Sequence, residues 1–240
     1  MGKIEKYFVI RLKMNYNKHM NNRKTPLVTN QTYHIFNRSI GGLKIFNKPE
    51  DYNRFIGMLA LYRYQNLTYS YSKFESFSES FQNQVLDHLQ AENKYLVEII
   101  AYCVMPNHFH LILKQVTTDG ITQFMSRISN SYAKYLNAEQ NRLGPLFEGH
   151  FKNIEIKNDN YLLHLTRYIH LNPTSAWLAI KPEDWQYSSY KEFLHPTKTG
   201  LITPVLDITP TKYQQLMDDQ VTYQRQLAKI KSLLIDDLVD

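Results

Sequence analysis

Residues 96–114 read LVEIIAYCVMPNHFHLILK, and the fold turns on them. The run 96–104 is short, apolar and rich in strand-favouring residues; MPN at 105–107 is a turn signal; HFHLILK at 108–114 returns. Two such runs around a turn make a β-hairpin. Along a strand, alternate side chains point to the same face. His108 and His110 therefore project together, and Phe109 points the other way, toward a core.

Upstream of the hairpin, QTYHIFNR at 31–38 alternates loosely and reads as a strand that ends at the turn marked by Gly41 and Gly42. PEDYNRFIGMLALYRYQ begins a helix at Pro49, with acidic residues in its first turn and apolar residues at Phe55, Met58, Leu59 and Tyr62. Residues 66–95 are rich in Ser, Gln and Asn. They read as a polar insertion with a helix at 80–91. Downstream, Gly120 precedes a helix with apolar positions Ile121, Phe124, Met125, Ile128, Tyr132 and Tyr135. A loop, NRLGPLFEGH, leads to a strand, FKNIEIK, at 151–157. Asp159 is placed to cap a further helix that Pro173 closes. PEDWQYSSYKEFL reads as a packed extension and 208–236 as one or two terminal helices.

The order strand, helix, strand, strand, helix, strand, helix predicts an α+β fold. It is a ferredoxin-like (split βαβ) sandwich with a central antiparallel sheet, flanked by helices and followed by a C-terminal helical extension. The expected organisation is a basic arm at 1–28, one domain at 29–195 that includes the insertion, and the extension at 196–240.

Twenty-eight basic against 22 acidic residues leave a formal charge of +6, which suits a polyanionic partner. Eighteen Tyr and 12 Phe offer surfaces on which bases stack, though most belong to the core. The lone cysteine, Cys103, lies in the apolar run and reads as a buried hydrophobe in a reducing compartment. No stretch has the length and apolarity of a membrane span or a signal peptide, so the expectation is a cytoplasmic protein with no membrane partner. There is no Walker sequence, no CxxC pair and no GxSxG elbow. That sets aside nucleotide hydrolases, zinc ribbons and serine hydrolases.

Two constellations carry chemistry. Two neutral imidazoles on one strand, His108 and His110, can share a divalent cation, although HxH is also common on half-buried strands. In RYIHLNP at 167–173, Tyr168 and Asn172 stand at i and i+4 on one helical face. A tyrosine hydroxyl can attack phosphorus to form a phosphotyrosine, and an Asn carbonyl is a ligand for a hard cation. The plain alternative is an aromatic core face with Asn172 at a helix end. His34 and His164 lie in apolar-patterned segments and read as satisfied core histidines. Glu148 and His150 lie in a Gly-containing loop that reads as solvated.

Four runs together resemble a known family: VMPNHFHLIL at 104–113, GPLFEGHFKN at 144–153, YIHLNPTSAW at 168–177 and PEDWQYSSY at 182–190. The first resembles the HUH motif of the single-tyrosine transposases, in which two histidines flank a hydrophobic residue. The rest look like the REP-associated branch. The resemblance spans about 30 to 195 and implies a ferredoxin-like fold with the HUH strand central. It also implies His108 and His110 as paired metal ligands, Asn172 as the polar third ligand and Tyr168 as nucleophile. The implied cofactor is Mg²⁺ or Mn²⁺. The implied partner is single-stranded DNA with hairpins or short palindromic repeats, bound by a monomer or a homodimer. The chain departs from the family at His150, where an arginine is common, and in the length of 66–95.

The mechanism that follows is attack by Tyr168 on a DNA phosphodiester, leaving a 5′-phosphotyrosine and a free 3′-hydroxyl for strand transfer. Tyr161 and Tyr132 stand as alternative nucleophiles. Arg38, Arg127, Lys134, Arg142, Lys152 and Arg167 are the candidate DNA contacts. Three other readings compete: a catalytically silent hairpin-DNA-binding regulator, a metal-dependent hydrolase that uses water, and a structural partner-binding protein whose terminal helices mediate assembly.

Overall fold

A computed structural model describes residues 26–197 and 200–220. Residues 1–25 of the expected arm at 1–28 and the end of the extension, 221–240, lie outside the described residues. The elements are β1 (Thr32–Arg38), α1 (Pro49–Tyr62), α2 (Tyr71–Glu75), α3 (Glu79–Glu92), β2 (Val97–Met105), β3 (His108–Gln115), α4 (Gly120–Glu139), β4 (Lys152–Ile156), α5 (Asp159–Ser175), α6 (Tyr190–Leu194) and a helix, α7, over 210–220. The four strands form one sheet in the order β2-β3-β1-β4, with every neighbouring pair antiparallel. With α1 and α4 as the crossovers, this is the predicted ferredoxin-like sandwich. Among the described residues, no helix is long and apolar enough to cross a membrane.

The hairpin forms as read. Met105 pairs with His108, so Pro106 and Asn107 make a two-residue connection. One face of the sheet carries the main core, in which Tyr33, Ile35, Ile99, Phe109, Leu111 and Leu113 meet Phe55, Met58 and Leu59 of α1 and Phe124, Ile128 and Tyr132 of α4. The opposite face carries a smaller cluster, in which Ile100, Ala101, Cys103, Met105 and Ile112 meet Leu162, Leu165 and Ile169 of α5. A register shift between Ile99 and Ala101 lets two consecutive residues leave the main core, after which Tyr102 and Val104 return to it. Cys103 is buried and free, and burial pushes its thiol basicity up.

Three local expectations change. The cap of α5 is Asn158, whose side-chain oxygen accepts from Tyr161 N at 2.9 Å, and Asp159 is instead the first-turn acid. Pro173 does not close the helix. It sits inside the last turn, which continues to Ser175 and ends where Trp177 turns left-handed at φ 58°. Proline forfeits a single backbone bond there, at a place where the ladder is already ending. His164 is exposed, on the outer side of α5.

The 66–95 segment is more ordered than a polar loop. Its helices α2 and α3 place Tyr71, Phe74 and Leu89 in the main core, and Tyr71 N donates to Tyr62 Oη at 2.9 Å. The extension PEDWQYSSY runs along the outer edge of β2. Val104 N donates to Tyr187 O, Ser189 N to Tyr102 O, and Trp185 Nε1 to Val104 O, at 2.9 to 3.0 Å. The edge strand of the sheet is therefore covered. The helix α7 docks on α5 through Tyr213 and Met217.

Candidate functional site

The sheet face beneath α5 collects histidines because parity puts them there. His34, Phe36 and Arg38 of β1 share this face with His108 and His110 of β3, and the register sets Phe36 opposite His110 and Arg38 opposite His108. The rings of His108 and His110 lie 5.1 Å apart between centroids, while Phe109 is fully buried in the main core. The pairing read from strand alternation is thus present.

Each histidine of the pair has a partner for one ring nitrogen. His108 Nδ1 bonds Asn107 Oδ1 at 2.6 Å. An amide oxygen only accepts, so Nδ1 carries the proton and Nε2 keeps its lone pair. His110 Nδ1 shares a 2.9 Å hydrogen bond with His34 Nε2. Burial, and secondarily the Arg38 charge, lowers His108 to about 4; burial lowers His34 to about 3. Burial, then His34 and His108, hold His110 well below the usual imidazole range. All three rings are neutral near pH 7, the form that binds a metal.

Helix α5 brings Tyr168 to this face. Its ring meets His110 edge-on at 5.8 Å between centroids, within one chain. Asn172, one turn on, has a buried Nδ2 with no hydrogen-bond partner among the described residues. The two ends of an amide are assigned by their partners, so an Asn with an unanswered end is free to turn its oxygen toward a cation. Two imidazoles with Nδ1 engaged and Nε2 available, plus this amide, fit a small divalent ion. Among the described residues, no group of three or more His, Cys, Asp or Glu is placed to hold a metal ion by itself.

The other tyrosines are placed differently. Tyr132 is buried on the opposite face of the sheet, where its hydroxyl donates to Ile45 O at 2.6 Å and burial raises its pKa. Tyr161 packs partly into the cluster beneath α5, and burial raises its pKa too.

The six basic residues are not brought together. Arg38 and Lys152 line the small cavity that also contains His108, His110 and Glu148. Arg38 Nε donates to Glu148 Oε2 at 2.5 Å, an ion pair that treating the 148–150 loop as solvated did not anticipate. That loop is stitched along the end of β1: Glu148 N donates to Arg38 O and Asn37 Nδ2 to Gly149 O, with Gly149 at φ 74°. His150 is exposed beside it, and Arg142 stands half-buried in the turn after α4. Arg127 spends its guanidinium on Tyr64 O and Gln65 O, and Arg167 on Leu216 O and Gln220 Oε1. Lys134 lines a groove on the α1–α4 side of the molecule, away from the histidines.

Sequence reading missed two residues here. Asn107 was taken only as part of a turn, and His34 as a satisfied core histidine. The signal for His34 was strand parity with Phe36 and Arg38, but it has meaning only once β1 is known to neighbour β3.

Three comparisons bear on these residues. Residues 61–172 match the model of the family described as "Transposase IS200 like". A Haemophilus influenzae protein described as a REP-associated tyrosine transposase is 26% identical over 106 residues, which are 40% of this chain and 60% of that protein. The chain thus spans about 60% of the length of the curated relative it matches. The solved structure of a REP-associated tyrosine transposase bound to a REP hairpin aligns with a TM-score of 0.50 and 14% identity, over 80% of this chain and 96% of that one. At that identity the likeness speaks to the fold. The resemblance read from the four motifs is borne out: family model, relative and solved structure all lie among the IS200-like and REP-associated tyrosine transposases.

Proposed function

We propose, from this kinship with the IS200-like transposases, that the chain is a metal-dependent single-stranded DNA endonuclease and strand transferase that uses Tyr168 as its nucleophile. The observation that carries the reading is the approach of Tyr168 to His110 at 5.8 Å within one chain, on the face where both HxH rings keep Nε2 available. The relatives' names support a transposase, and the hairpin bound by the solved relative supports palindromic DNA as the partner.

In this reading, His108 and His110 through Nε2, with the Asn172 amide oxygen, would hold Mg²⁺ or Mn²⁺, which would supply Lewis-acid stabilisation of the charge that develops at the phosphate. Asn107 keeps His108 in the ligating tautomer. Arg38, oriented by Glu148, and Lys152 flank the His pair and contact the phosphates of the strand. Tyr168 gives up its phenolic proton to solvent as its oxygen bonds phosphorus. The bond from phosphorus to the 3′ oxygen breaks, and that oxygen takes up a proton. The products are a 5′-phosphotyrosine and a free 3′-hydroxyl. Attack by another 3′-hydroxyl reverses the step on a second strand and needs no nucleotide hydrolysis.

Covalent capture tests this. The chain is mixed with labelled single-stranded hairpin oligonucleotides and Mg²⁺ or Mn²⁺ and run on a denaturing gel. The expected result is a labelled band at protein mass that disappears with EDTA. Cleavage without such a band would establish hydrolysis by water, and hairpin binding without cleavage a silent regulator.

A further inference from the structure

We propose that His34 is the positioning residue of the metal centre: its Nε2 accepts the Nδ1–H of His110 and so fixes the tautomer and ring plane in which His110 presents Nε2 to the ion. The inference rests on the metal-binding reading above and concerns a residue outside the HxH and tyrosine motifs.

The geometry is specific. His34 Nε2 and His110 Nδ1 are 2.9 Å apart, the ring centroids are 5.1 Å apart with 22° between the planes, the near-coplanar arrangement an N–H···N bond needs, and Phe36 packs on His34 at 4.8 Å between centroids. Both histidines are buried, His34 at 3% and His110 at 8% exposure, so water does not compete for the shared bond. A neutral imidazole has one N–H. If His34 donates, His110 carries its proton on Nε2 and cannot ligate. If His110 donates, its Nε2 is a bare lone pair and the proton of His34 sits on Nδ1.

In either arrangement His34 Nδ1 stays buried with no partner among the described residues, so the choice falls to ligation: only the second leaves His110 with a lone pair for an ion. Buried polar groups are nearly always answered, and each exception calls for a cause. A histidine kept for packing alone would not need its Nε2 aimed at a ligand candidate while its Nδ1 goes unanswered. The partners of the two ring nitrogens also form a set. Asn107 serves His108 and His34 serves His110, each from outside the ligand pair, as second partners do in metal sites generally.

The test uses the full chain without DNA and reads Mn²⁺ binding by the loss of the free-ion electron paramagnetic resonance signal, alongside thermal melting. His34→Leu removes the acceptor and His34→Gln keeps one. His34→Leu is expected to weaken Mn²⁺ binding by about 10- to 100-fold, with His34→Gln recovering most of it and both variants folded. A folded His34→Leu that binds Mn²⁺ like the wild type overturns the proposal. A wild type that binds no Mn²⁺ at all would instead bring down the metal reading beneath it. Should His34→Leu fail to fold, the wild type still decides: two-bond ¹H–¹⁵N spectra of the Mg²⁺-loaded protein are expected to find His110 protonated on Nδ1, and protonation on Nε2 overturns the proposal.

Discussion

Two buried histidines, His34 on β1 and His170 on α5, teach what burial alone cannot. His170 on α5 has both ring nitrogens answered, Nδ1 by Tyr213 Oη at 2.7 Å and Nε2 by Ser189 Oγ at 2.8 Å. The Ser189 hydroxyl donates onward to Tyr102 O at 3.2 Å, so Nε2–H donates to Ser189 and Tyr213 donates to Nδ1. Both nitrogens of His170 and the Ser189 hydroxyl between them and the backbone are thus answered. The chain of bonds through His34 and His110 ends open at both sides, with an unanswered Nδ1 on His34 and an available Nε2 on His110. Burial lowers the basicity of both His170 and His34 to about 3, so acidity does not separate them. The count of answered nitrogens does: a closed network locks a fold, and an open one has room for a ligand.

The largest effect that sharpens this contrast is chemical. Tyr168→Phe keeps the aromatic contact with His110 but removes the attacking oxygen, so the covalent DNA adduct should fall to background while hairpin binding stays within a few-fold. Loss of binding in a filter or gel-shift assay would make Tyr168 a structural residue. The same substitution in the two buried histidines should then diverge in stability. His170→Leu orphans Tyr213 and Ser189 and should cost about 2–3 kcal/mol in urea melts. His34→Leu orphans the Nδ1–H of His110 but removes an unanswered N–H of its own, so it should cost about 1 kcal/mol less than His170→Leu. Equal costs would erase the distinction drawn here.

Acid should act on both clusters together. His34, His108 and His170 are depressed to about 3, 4 and 3 in the native state. Below about pH 6.5 the unfolded chain takes up protons that these native rings refuse. Their stabilisation is complete above that pH and is lost as pH falls toward 4, by about 1.4 kcal/mol per unit for each ring. Urea melts between pH 7 and 5 read the slope, and His170→Leu should reduce it by one histidine's share. A slope indifferent to pH would mean that the rings are not buried neutral.

The smaller effects concern the rim of the site. Asn172→Ala should weaken Mn²⁺ binding by about tenfold, with little change in melting, since its amide nitrogen already lacks a partner. Lys152→Ala should lower hairpin affinity by less than about 1 kcal/mol and reduce the salt slope by about one. Lys134→Ala, on the α1–α4 side, should do neither. Equal effects of the two lysines would mean that DNA also engages the far groove.

Much of this was legible in the sequence because it depended on local period. The hairpin, the shared direction of His108 and His110 and the apolar stripes of α1 and α4 all follow from spacings of two and about four residues. The nearness of Tyr168 to His110 was implied by resemblance to a family, not by periodicity. What stayed hidden depended on strand order. The bond between His34 and His110 joins residues 76 apart, and the ion pair of Arg38 with Glu148 joins residues 110 apart. Cap and terminator also misled. Asn158 and Asp159 are both good helix-starting residues, and only backbone geometry selects between them. Pro173 looks like a stop until the helix is seen to be ending anyway.

The strip of chain laid along β2 has a consequence for biosynthesis. Tyr102 and Ser189 are 87 residues apart, so the outer edge of the hairpin stays open until Ser189 has been made. During that interval the nine residues of β2, VEIIAYCVM, present one unpaired and strongly apolar flank. Such a flank is a template for adding a foreign strand. A ribosome-bound chain stopped short of 185–189 is therefore the form most exposed to aggregation. A truncation there would be read first in the insoluble fraction of the cell, before any assay of DNA.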